Sequence, residues 1–131
     1  MRKIILYIID DEIEIVNALE ALFKPNKRYK VRCHTSVESV LDELERWPPK
    51  IVICDYLMPD IDGMELLRDL KQRNPTLRSV LLTGHGFGPE IIKAMEEGLF
   101  NHYYAKPYDA QVLSDTVAGL AREVAKEGEG Y

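Results

Sequence analysis

The sequence predicts an α/β fold, a three-layer, doubly wound sandwich on a five-stranded parallel sheet in the order 2-1-3-4-5, and three observations point there. Strand-like and helix-like segments alternate from end to end, the pattern of βα units joined by right-handed crossovers. Several of the strand-like segments are apolar throughout, as strands covered by helices on both faces must be. With 131 residues the chain can bury one core but has no room for a second domain.

The first strand is Ile4 to Ile9, and Ile51 to Cys54 and Ser79 to Leu82 read the same way, so these three belong in the sheet interior. Val31-Arg32-Cys33-His34 and His102-Tyr103-Tyr104 mix polarity, which suits strands nearer the edges. Between them the first helix carries Ile13, Val16, Leu19 and Phe23 on one side and stops before Pro25. In the second, Val37, Val40, Leu41 and Leu44 recur at helical spacing behind a capping box of Thr35 and Glu38. The third carries Leu66, Leu67 and Leu70 and stops at Asn74-Pro75. Pro89 suits the first turn of the fourth, where a missing donor is tolerated, and Gly98 supplies a left-handed residue to close it. The fifth opens on Asp109 as N-cap and carries Leu113, Val117, Leu120 and Val124 in one stripe. Residues 1–126 are thus expected to form the folded unit, with residues 127–131 a frayed tail or the start of a linker.

Composition narrows the function. Apolar residues at 46% and charged residues at 30% describe a soluble globular chain, and no apolar run approaches the roughly 20 residues of a membrane span. Met1-Arg2-Lys3 followed by Ile4 to Ile9 imitates the start of a signal peptide, but Asp10-Asp11-Glu12 cuts the run and no small-residue cleavage site appears after it. Cys33 and Cys54 sit inside strands as reduced thiols, which with the missing leader predicts a cytoplasmic protein. A net charge of −5 argues against direct nucleic-acid binding.

In this strand order the chain reverses between strands one and three, and a ligand sits beyond the carboxyl ends of the strands there. Asp10 and Asp11 end the first strand, Asp55 the third, Thr83 the fourth and Lys106 the fifth, so all five converge on one rim. Close carboxylates repel and demand a cation. Magnesium, or manganese in its place, prefers such hard oxygen donors, whereas His34, His85 and His102 lack zinc-ligand spacing and Asp60 and Asp62 lack the rest of a calcium loop. With that cation and Lys106 drawing off charge, Asp55 becomes a nucleophile toward phosphorus. Taken alone, Asp10-Asp11 would equally suit an N-cap for the first helix, and Lys106 a snorkelling surface lysine.

These residues resemble a known family. Asp10-Asp11, the string Asp55-Tyr56-Leu57-Met58-Pro59-Asp60-Ile61-Asp62-Gly63, Thr83-Gly84 and Lys106-Pro107 stand in the order and spacing of a receiver domain of two-component response regulators, chemotaxis-regulator-like and of flavodoxin-like fold, over residues 3 to about 125. The resemblance implies phosphorelay signalling in the cytoplasm of bacteria, with Asp55 phosphorylated by a sensor histidine kinase, a phosphotransfer protein or a small phosphodonor. It implies Mg2+ bound directly by Asp11 and Asp55, through water by Asp10, and by the Leu57 carbonyl. Lys106, Thr83 and the amides of Tyr56 and Gly84 would meet the phosphoryl group, and Lys106-Pro107 would be cis. A switch would bring the Thr83 hydroxyl toward the phosphoryl group and rotate Tyr103 inward, changing what an effector or partner sees; the bland alternative for Tyr103 is an edge-strand aromatic with its hydroxyl in water. Tyr104 would face the other side of the sheet. The surface of helix four, strand five and helix five, with Lys93, Glu96 and Asp115, is where such domains form homodimers or meet effectors. His85 and Leu57 would tune the lifetime of the acyl phosphate, and the chain would catalyse only its own phosphorylation and dephosphorylation.

Three other readings compete. A flavin module would need a hydroxyl- and glycine-rich loop after strand one, where this chain has acids. An aspartyl phosphatase places its nucleophile after strand one in an Asp-x-Asp arrangement, which this chain lacks. A receiver-like interaction domain that is never phosphorylated would not need the acidic pair, Thr83 and Lys106 together.

Overall fold

The computed structural model describes residues 2–59, 62–84 and 86–129. The expectations placed on His85, on Asp60 and Ile61, and on Gly130 and Tyr131 lie outside the described residues. Ten elements alternate: β1 (Ile4–Ile9), α1 (Ile13–Phe23), β2 (Tyr29–His34), α2 (Val37–Glu43), β3 (Ile51–Asp55), α3 (Gly63–Arg73), β4 (Arg78–Thr83), α4 (Pro89–Glu96), β5 (His102–Ala105) and α5 (Ala110–Glu129). Every strand pairing is parallel, and the sheet order is β2-β1-β3-β4-β5, as the sequence predicts.

The apolar strands are uniform in sequence yet divide by alternation, because successive side chains leave a strand on opposite faces. Leu6 and Ile8 of β1, Ile51 and Ile53 of β3, and Val80 and Leu82 of β4 pack with Val16, Leu19 and Phe23 of α1 and with Leu113, Val117 and Leu120 of α5. Their neighbours Tyr7, Ile9, Val52, Cys54 and Leu81 face the other way, against Val40 of α2, Leu66, Leu67 and Leu70 of α3, and Ile91 and Ala94 of α4. Tyr103 joins this second layer and Tyr104 the first, the opposition expected of them. Cys54 is buried, Cys33 only half so, and both are free thiols.

Several local expectations need correction. Ile13 does not join the core: it is 55% exposed, since the first turn of α1 overhangs the rim beyond the end of β1 and Ile15 and Leu22 fill the flanks of the stripe instead. Leu41 is exposed for a related reason, because α2 presses on the sheet through Val40 with Val37 and Leu44 beside it. The cap of α2 is Ser36, whose hydroxyl accepts from the Ser39 amide at 3.1 Å; Thr35 stands one position too early. β2 starts at Tyr29, drawn in by an edge contact with Phe23 at 5.8 Å between ring centroids. At the other end α5 runs to Glu129, past the fraying expected at Glu127, because Arg78 at the start of β4 is paired with both Glu123 and Glu127, one helical turn apart.

The remaining caps behave as read. Asp109 accepts from the amides of Gln111 and Val112, Pro89 opens α4, and Gly98, at φ 78°, closes it. Because the α2 cap rests on one hydroxyl, Ser36→Ala is expected to lower unfolding free energy by about 0.5–2 kcal/mol in a denaturant titration, while Thr35→Ala leaves it nearly unchanged.

Candidate functional site

Register builds the site. Ile9 is level with Cys54, so the next residue along each strand, Asp10 and Asp55, emerges side by side with the other at the carboxyl ends of β1 and β3. Thr83 is level with Ala105, which places Lys106 just past the end of β5. Neither Asp10 nor Asp11 caps α1, whose N-cap is Glu12 without a side-chain bond; that leaves the pair to the rim.

Asp10 is 1% exposed and has both oxygens engaged, one by the Glu12 amide at 2.9 Å and the other by Lys106 Nζ at 2.8 Å. Asp55 is 7% exposed, and its Oδ1 lies 3.0 Å from the same Nζ. The exposed Asp11 completes a group in which one oxygen from each carboxylate lies within 4.8 Å of the others, the one such metal-capable group among the described residues.

Electrostatics reflect that crowding. Burial above all pushes the Asp55 carboxyl above its ordinary range, and the charges of Asp10 and Asp11 add to this against the hydrogen bond from Lys106. For Lys106, burial works to lower the pKa, but the Asp10 and Asp55 carboxylates outweigh it and raise the ammonium above its usual range. The lysine is therefore locked in its charged form.

Around this core the other expected residues separate. Thr83 is fully buried and its hydroxyl donates to the Gly86 carbonyl at 3.3 Å. Gly84 faces open space: a Cβ there would meet nothing within 4 Å. Leu57, exposed, forms an isolated antiparallel bridge with Asp62, and the Lys106-Pro107 bond is cis. The Tyr56 amide departs from expectation. It donates to the Leu82 carbonyl at 2.8 Å, prolonging the β3–β4 ladder, and so is not a spare donor for a phosphoryl group. Tyr103 is half-buried between Phe87, 4.6 Å away, and Phe100, 6.0 Å away.

Gly63 has a sharper role than its place at the end of a motif suggested. A Cβ on it would lie 2.0 Å from the Asp55 carbonyl oxygen, so only glycine lets α3 begin against the backbone of β3. Glu90 was missed altogether. It accepts from the Tyr56 hydroxyl at 3.2 Å, and two residues 34 positions apart carry no local sequence sign of such a pair.

The family model for the response regulator receiver domain matches residues 6–118. The chain belongs to that family. It is similar to the DNA-binding transcriptional regulator NtrC of Klebsiella pneumoniae, 32% identical over 127 residues, and to the transcriptional regulatory protein FixJ of Rhizobium meliloti, 29% identical over 117 residues. These matches cover 95% and 89% of this chain, which spans only 26% of NtrC and 56% of FixJ. Among solved structures, a response regulator receiver domain protein from Clostridium thermocellum superposes with a TM-score of 0.82 at 31% identity, covering 93% of this chain and 97% of that one. As a receiver domain of two-component response regulators the chain is a regulatory module.

The raised pKa of Asp55 fixes a sign. A carboxyl that titrates higher when folded than unfolded favours the fold while protonated and loses that advantage as pH rises through its folded pKa. Asp55→Asn, which cannot ionise, is therefore expected to melt above the wild type at pH 7 in the absence of divalent cations, with the gap closing as pH falls through the carboxylate range.

Proposed function

We propose that Asp55 of this receiver domain accepts a phosphoryl group from a sensor histidine kinase, a phosphotransfer protein or a small phosphodonor, and that the change is passed to an effector. The observation that carries this reading is the Lys106 ammonium joining Asp10 and Asp55 across the rim. The donor set fits a hard divalent cation: three carboxylates within reach, with no imidazole or thiol among them. Mg2+, with Mn2+ as a substitute, would be held by Asp11, Asp55 and the Leu57 carbonyl, with Asp10 behind a bound water, and would supply neutralisation of the charge on the transferred phosphoryl oxygens. That Asp10 has both oxygens taken up by protein donors supports its indirect part.

The chain's own residues do the rest. An Asp55 carboxylate oxygen attacks phosphorus, forming the O–P bond of an acyl phosphate as the bond to the donor's imidazole nitrogen or carboxylate oxygen breaks, and the leaving group departs with its electron pair. Lys106 holds one phosphoryl oxygen, the Gly84 amide and the Thr83 hydroxyl meet others, and the open space beside Gly84 admits them. Tyr103 then rotates toward the space vacated by Thr83. Water then attacks the phosphorus, the bond between Asp55 and phosphorus breaks, and inorganic phosphate leaves with the carboxylate restored, so the domain turns over only its own acyl phosphate.

The receiver unit is residues 1–126, and α5 continues past it to Glu129. The face of α4, β5 and α5, including Lys93, Glu96 and Asp115, is the surface for a homodimer or an effector. The proposed site of action is the cytoplasm; among the described residues no helix is long and apolar enough to cross a membrane.

Incubation with acetyl phosphate and Mg2+ should give an acid-stable, base-labile adduct of one phosphoryl group that maps to Asp55. It should vanish in Asp55→Asn and on chelation of the metal, and Lys106→Ala should lower its yield at least tenfold. A wild-type chain that stays unmodified by both acetyl phosphate and a phosphorylated histidine kinase would instead be a receiver-like interaction domain.

A further inference from the structure

The end of the segment joining β4 to α4 and the first turn of α4 touch three groups around the site at once. The Gly86 carbonyl accepts the Thr83 hydroxyl, the Phe87 ring stands at 68° against Tyr103, and the Glu90 carboxylate accepts the Tyr56 hydroxyl. All three partners fall between Gly86 and Glu90.

Each contact uses something that cannot be given twice. A hydroxyl has one proton, so Thr83 must leave Gly86 before it donates to a phosphoryl oxygen. Phe87 occupies one flank of Tyr103 and Phe100 another, so Tyr103 cannot turn without shedding or carrying the Phe87 ring. Phe87 itself is 47% exposed, and its edge-on contact with Tyr103 covers part of the ring. The Glu90 carboxylate folds back over the N-cap of α4: a Cβ on Gly88 would lie 2.6 Å from Glu90 Oε1, the atom that accepts from Tyr56. Gly88 thereby leaves the room that lets Glu90 reach the residue next to Asp55.

Resting on the reading of Asp55 as the phosphoacceptor, we propose that Phe87 and Glu90 are positioning residues that clasp the site in its unphosphorylated arrangement, Glu90 through Tyr56 and Phe87 through Tyr103. A contact present in only one of two arrangements weakens the apparent affinity for any ligand that needs the other. Loosening the clasp therefore eases phosphorylation without altering a group that touches the phosphoryl oxygens.

The test is a calorimetric titration with beryllofluoride in Mg2+, a mimic of the bound phosphoryl group, together with thermal melts of the same proteins. Tyr56→Phe, Glu90→Ala and Gly88→Ala should each tighten binding roughly 2- to 5-fold, the worth of one solvent-accessible hydrogen bond. The Tyr56→Phe/Glu90→Ala double variant should gain no more than either single change, since both remove one contact. Phe87→Ala should tighten binding separately and add to the others, and melting temperatures should stay level or fall. Gly88→Ala keeps every charge, which separates the clasp from simple removal of a negative group. Unchanged or weaker binding in Glu90→Ala and Gly88→Ala, or additive gains in the double variant, would overturn the clasp while wild-type binding upholds the acceptor reading. Failure of the wild type to bind the mimic would overturn both.

Discussion

One lysine reaching two carboxylates holds the functional end of this domain together. The strand that delivers Lys106 is three places from the one that delivers Asp10, roughly 14 Å at the usual interstrand spacing, with β4 and β3 between them. A long stem carries Lys106 inward from that edge, and the ammonium at its tip meets Asp10 and Asp55 at 2.8 and 3.0 Å. Without it, two nearly buried carboxylates would face each other uncompensated, an arrangement far costlier than the pair is stabilising. The same tension prepares the site for chemistry, because crowded acids whose charge is only partly answered have a use for a divalent cation and for an incoming electrophile.

Much of this was legible because the sheet is parallel. Strands covered on both faces must be apolar throughout, so Ile4 to Ile9 and Ile51 to Cys54 announce themselves, and the polar residues that end them fall on one rim. The edges were legible too, through the mixed polarity of β2 and β5. What stayed hidden depends on where elements begin relative to one another. Ile13 has helical spacing but lies beyond the sheet, so periodicity alone counts it into a core it does not join. The capping-box spacing of Thr35 and Glu38 points to one cap, yet the neighbouring Ser36 takes the role. The tail of α5 lacks apolar residues, and its hold comes from Arg78, a partner distant along the chain.

The site residues divide along the same line. Side chains at strand ends could be placed from the sequence, because strand order and register determine them. Backbone donors could not: the Tyr56 amide is spent on Leu82 because β3 and β4 stay paired to the very last residue of β3. Gly63 shows the opposite case, a residue visible in a motif whose reason is only steric, since the start of α3 is pressed against the carbonyl of Asp55.

β5 is short, yet its two tyrosines serve different masters. The Tyr104 hydroxyl is bound to Thr116 of α5 at 2.6 Å, whereas Tyr103 packs into the second layer with its ring against those of Phe87 and Phe100. One side of the ribbon is thus bolted down and the other merely leans on aromatic neighbours. On the proposed switch such a strand would act as a fixed post carrying a single vane: a disturbance at the rim would swing the aromatic on the α4 side while the α5 layer stayed still, and any message leaving this domain by that route would be one-sided from its origin.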